Sequence, residues 1–162
     1  MDPELKEKLI VILRNTLAII AGCIFGGVIN MGLVKVLGGM VDLPAGVDPE
    51  NFEDIKNNIH LYSTNALLAP FAAHAIGTLS GAFMAARLAV SRHMILAMFI
   101  GVFFLLGGLG MVAMIPNTPT WFKLLDLLGA YFPMAFIGGK IGMRSAKMRA
   151  RSFEDAEILD RA

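Results

Sequence analysis

Five polar side chains lie inside long apolar segments of this chain: Asn30, His74, Thr78, Ser80 and Asp126. Polar groups in such surroundings are costly, and they mark either proton and ion paths or hydrogen bonds that fix one helix against another. Histidine titrates near neutral pH, and an aspartate at the centre of a membrane span costs about 2.5–3.5 kcal/mol. The chemistry on offer is therefore the binding and release of a proton at Asp126 and His74. Thr78 shares a helical face with His74, Gly77 and Gly81. Asn30 and His74 both fall about 4–5 Å outward of their span midpoints at 1.5 Å per residue. That matching depth allows a His74–Asn30 hydrogen bond, worth about 0.6 kcal/mol between membrane helices. Structural glue and a protonatable group in a transport path both stay open for this pair. Asp126 falls about 6 Å outward of its own midpoint by the same rise. Lys123, three residues earlier, or Lys35 on the first span could neutralise it, leaving a structural ion pair or a proton carrier. Asp126, Gly129, Pro133 and Lys140 share one helical face, expected to point inward. Pro70 and Pro133 are expected to kink their helices and to open a small cavity beside His74 or Asp126.

The elements that must position these residues follow from composition. Of 162 residues, 56% are hydrophobic and 17% charged, with a mean hydropathy of +0.67, where soluble domains run about 25% charged. Spanning a bilayer takes about 20 apolar residues, and four segments qualify, near 15–39, 64–87, 94–115 and 120–141. The expected fold is all-α, an integral membrane four-helix bundle in one transmembrane domain covering 1–162. A short turn at 88–93 and the breaker cluster Pro116-Asn117-Thr118-Pro119 make sequential helices antiparallel. The longer connection, 40–63, contains a short amphipathic helix in the first outer loop. Asp48 is its expected N-cap with Pro49 at the first helical position. Phe52, Ile55, Ile59 and Tyr62 form its apolar stripe opposite Glu53 and Asp54, which would lie on the membrane or extend the second span outward.

Orientation follows from the basic residues. Lys6, Lys8, Arg14, Arg87, Arg92, Lys140, Arg144, Lys147, Arg149, Arg151 and Arg161 flank one side, against Lys35, Lys56 and Lys123 on the other. Eleven against three predicts both termini in the cytoplasm.

Small residues supply the packing signal. Ala18, Gly22, Gly26 and Asn30 recur every four residues in the first span, and Ala73, Gly77, Gly81 and Ala85 do so in the second. In lipid, such stripes let backbones approach closely, so the first two spans are expected to pack on each other, with homodimerisation through one stripe as the rival use. The 14 Lys+Arg against 13 Asp+Glu leave no basic surplus for nucleic acid. Cys23 is the lone cysteine and excludes a disulfide framework within one chain. Ile20-Ala21-Gly22-Cys23 matches a lipoprotein cleavage pattern, but Arg14-Asn15-Thr16 break the apolar run that such a signal needs. The eleven methionines read as adaptable apolar filler. His60, His74 and His93 are dispersed over loop, span and turn, so no metal site or cofactor is expected, and no catalytic set points to an enzyme.

The segments LPAGVDPENFEDI, HAIGTLSGAFMAARLA, MIPNTPTWF and YFPMAFIGGKIG together resemble a group of small four-span bacterial membrane proteins of unassigned function. The likeness spans roughly residues 10–145 and implies a location in the bacterial inner membrane, with no activity or site residue to carry over. Two functions are expected. One is a non-enzymatic structural or accessory subunit that assembles with itself or a membrane partner through Gly22, Gly26, Gly77 and Gly81. The other is a small proton-coupled transporter or channel that uses Asp126 and His74.

Overall fold

In the computed structural model, which describes residues 2–161 apart from the side chains at 153, 159 and 160, the first helix starts early. Helix α1 (Pro3–Gly38) begins where the Asp2 carboxylate accepts from the Glu4 N–H at 3.2 Å and Pro3 takes a first-turn position that needs no donor. Its 36 residues extend about 54 Å, so the element runs well ahead of the span expected from residue 15. The polar residues Arg14, Asn15 and Thr16 do not stop a helix that is capped upstream.

Helix α2 (Phe52–Asn58) is capped by Asn51 rather than by Asp48. The Asn51 side chain accepts from the N–H groups of both Glu53 and Asp54, whereas Asp48 accepts only from Glu50 within a turn. One side chain satisfying two first-turn donors sets the start. A 3₁₀ turn, Ile59–Leu61, follows. Phe52, Ile55 and Tyr62 pack against Ile59, Leu67, Ile115 and Phe122, so the apolar stripe of this short helix is spent on the end of the bundle itself. Partial burial, and then the Asp54 carboxylate, push the Tyr62 phenol above its ordinary range.

Helix α3 (Thr64–Leu88) is capped by Ser63, whose hydroxyl accepts from the Ala66 N–H at 3.2 Å. It continues through Pro70 as one helix. Eleven of its 25 residues are buried, against three in the longer α1, which makes α3 the centre of the molecule. It packs against α1, α6 (Phe132–Asp160) and α4 (His93–Met114), and α4 packs in turn on α6. Small residues allow this crowding. A Cβ on Gly22 would come 2.7 Å from the Gly81 carbonyl oxygen, and one on Gly26 would come 2.7 Å from that of Gly77. On the other flank, Gly138 and Gly142 lie against the backbone of Leu79 and Phe83. The chain reverses between α3 and α4 at Arg92, whose φ of 52° is left-handed. Asn15 ties α1 to that reversal, donating to Ser91 Oγ at 2.9 Å and accepting from the Val90 N–H at 3.1 Å.

The expected fourth span is two helices. Helix α5 (Thr120–Gly129) ends before Ala130 and Tyr131, and α6 starts at Phe132. Pro133 explains the break, because it has no N–H to give the Gly129 carbonyl and its ring would collide with that carbonyl in a continuous helix. The expectation of a kink at Pro133 is thus corrected to an interruption one turn earlier. Helix α6 also continues to Asp160, well past residue 141. Four stretches are long and apolar enough to cross a membrane: α1, α3, α4 and α5 with α6. No strand occurs among the described residues. The outward faces carry large apolar side chains, with Val28 65%, Ile95 63% and Leu128 70% exposed.

Candidate functional site

The polar residues of the helices converge at the break in the fourth span. Asp126 comes from the last turn of α5, His74 from the middle of α3, and Tyr131 from the two-residue interruption. His74 Nδ1 lies 2.8 Å from Asp126 Oδ1, and the Tyr131 hydroxyl donates to Asp126 Oδ2 at 2.9 Å. The same hydroxyl stands 3.3 Å from His74 Nδ1, and the two rings stack with centroids 6.0 Å apart and planes 26° from parallel. A carboxylate oxygen accepts from this imidazole in the tautomer with hydrogen on Nδ1. Each carboxylate oxygen then has its own donor. His74 is further held by its backbone, because Thr78 Oγ1 donates to the His74 carbonyl at 2.7 Å.

This cluster is nearly dry. The Asp126 side chain is 6% exposed and that of His74 22%, and Tyr131 is one of the largest fully buried side chains. The ring of Tyr131 packs on Gly108 of α4, where any side chain would collide with it. Ala75, Ala130, Phe71, Phe104, Leu105, Leu127 and Met134 form the apolar surroundings. Burial in such a setting strengthens each hydrogen bond and raises the cost of losing one.

Two expected pairings are not made. The Asn30 Oδ1 atom is buried without a hydrogen-bond partner among the described residues, because His74 turns to Asp126 and Asn30 instead packs its Cβ against Gly77. Lys123 does not neutralise Asp126. Its ammonium donates to the Pro116 carbonyl at 2.7 Å and closes the turn that precedes α5. Lys35 is exposed and takes no part in the cluster. Of the residues singled out from sequence, the fold therefore brings together Asp126, His74 and Thr78, and leaves Asn30 and Lys123 outside. No group of three metal-ligating side chains forms among the described residues.

Tyr131 escapes a reading based on helical periodicity. In a continuous helix a residue five positions on lies about 140° around the axis from Asp126, on another face. Only the break at 130–131 returns it to the carboxylate. The signal available in the sequence was Pro133 two residues after an aromatic hydroxyl, and it did not specify a direction. Comparison of the chain with protein-family models, curated proteins and solved structures returns no match.

Proposed function

We propose that this is a small multi-pass protein of the bacterial inner membrane, with both termini cytoplasmic, and that it works as a non-enzymatic proton-coupled transporter or channel. The four long apolar stretches and their exposed apolar faces support the membrane reading, and the eleven-to-three division of basic residues supports the direction. One observation carries the function. The buried carboxylate of Asp126 is held by a histidine and a phenol, while the permanent cation three residues away, Lys123, is turned to a backbone carbonyl. Histidine is the side chain type suited to exchanging a proton under physiological conditions, which a lysine partner would not do. An imidazole–carboxylate pair beside interrupted backbone in a long apolar stretch fits a coupling site.

The test is flux in reconstituted vesicles under a pH gradient, for protons, monovalent cations and small organic solutes. Asp126→Asn and His74→Gln are each expected to cut pH-dependent flux at least tenfold while circular dichroism stays unchanged. Wild-type vesicles without pH-dependent flux of any of these would end this reading.

A second reading, an accessory subunit that assembles with a second copy or a membrane partner, draws on a separate observation. Gly27 and Gly32 on α1, and Gly107 and Gly110 on α4, have open space where a side chain would sit. It predicts that leucine at Gly27 and Gly107 changes the oligomeric state or removes a copurifying partner.

A further inference from the structure

Apart from the buried cluster, one concavity of about 500 Å³ opens at the end of the bundle where α1, α3, α4 and α6 meet. Arg14, Arg87, Lys147 and Arg149 line it together with His93, so α1, α3 and α6 contribute cationic side chains and α4 an imidazole. The rest of the wall is apolar or backbone: Leu88, Ala89, Val90, Ala146 and Ala150. No carboxylate lines it among the described residues. A smaller neighbouring concavity shares Lys147 and adds Arg144 and Arg151. Arg14, Arg87 and Lys147 bring like charges together from three helices, and like charges repel one another.

The concavity is also built rather than incidental. The Arg87 guanidinium donates through Nη1 to Ser145 Oγ and lies 5.9 Å from the centre of the Phe83 ring. Four of its five donors are left over by that bond. His93 Nδ1 lies 2.8 Å from the Ala86 carbonyl, which fixes the ring and turns Nε2 away from it. The clamp from Asn15 to Ser91 and Val90 holds α1 against the rim.

We infer that this concavity binds the phosphodiester headgroup of an anionic glycerophospholipid. Guanidinium groups match phosphate oxygens in geometry as well as charge, and basic pockets between helices on the cytoplasmic side of membrane proteins take such headgroups. The apolar wall suits the glycerol and first methylenes of the acyl chains, which a free phosphate lacks. The inference rests on the membrane reading above and not on the proton site, and release of the chain from membranes by carbonate would fail that reading separately.

The experiment is thermal unfolding of the full chain in neutral detergent with three probes: short-chain phosphatidylglycerol, short-chain phosphatidylcholine and inorganic phosphate. Phosphatidylglycerol is expected to stabilise the protein at concentrations where the other two do nothing. The double variant Arg14→Gln with Lys147→Gln is expected to bind it about twenty-five-fold more weakly, from about fivefold per basic residue. Lys8→Gln, which does not line the concavity and pairs with Glu4, is expected to bind as wild type. Both residues of the double variant are exposed. If it does not fold, Lys147→Gln alone is read instead, with about fivefold weakening expected. Equal stabilisation by inorganic phosphate would overturn the lipid assignment in favour of a free-anion site. Equal stabilisation by phosphatidylcholine, or undiminished binding by the variants, would overturn it altogether.

Discussion

Asp126 and Asn30 pose one physical problem, a polar side chain among apolar ones, and the fold answers it differently for each. Asp126 gains a donor on each oxygen. Asn30 keeps a buried carbonyl oxygen with no partner. A buried acceptor left unmade costs about 1–3 kcal/mol, so Asn30→Ala is expected to be neutral or to stabilise the protein by up to about 1 kcal/mol, since the orphan acceptor leaves with the amide. Equilibrium unfolding in mixed micelles measures this, and a loss above 1 kcal/mol would mean that the amide is engaged after all. The residue types were legible in the sequence, because a histidine and an aspartate stand out in apolar segments. Their pairing was not. They are 52 positions apart, and depth counted from span midpoints matched His74 with Asn30 just as well.

At the scale of elements, the break between α5 and α6 does what a continuous helix could not. Pro133 ends α5 and releases Tyr131 from helical register, so that its hydroxyl reaches the carboxylate five residues back. Pro133→Ala restores the missing N–H and is expected to draw 129–133 toward continuous helix. It should then reproduce Tyr131→Phe, with both variants losing one buried hydrogen bond, about 1–3 kcal/mol, and both shifting the pH midpoint of flux in the same direction. A Pro133→Ala protein with wild-type stability and pH profile would show that something other than the proline holds the break. Hydropathy found the four long apolar stretches. It did not find the interruption, since a proline states that a helix is disturbed without stating where the chain resumes. The displaced cap of α2 has a similar cause: Asp48 and Asn51 are both good caps, and the choice depends on which can satisfy two donors.

At the scale of the molecule, the glycine stripes are consumed within one chain. Gly22 and Gly26 face Gly81 and Gly77, and Gly138 and Gly142 face the other side of α3. Gly22→Ala is expected to destabilise by about 1–3 kcal/mol, because the new methyl would meet backbone and the helices must part. Gly27→Ala, with open space around it, is expected to stay within about 0.5 kcal/mol of wild type. Equal effects of the two, or an unchanged stability with a lost dimer for Gly22→Ala, would contradict packing inside the chain.

The sequence by itself determined the all-helical class of this protein, the number of its long apolar helices, the stripes that bring α1 and α3 together, and the presence of His74 and Asp126 inside those apolar stretches. These are one-dimensional properties, set by composition, by a period of 3.6 and by charge beside each span. Only the tertiary structure decided that α3 is central, that Tyr131 joins His74 and Asp126 while Lys123 and Asn30 do not, and that basic residues from three helices share one concavity with His93. Those facts depend on the rotation of each helix about its axis and on where one helix stops. Both are set by contacts between segments far apart in the chain, to which local periodicity is blind.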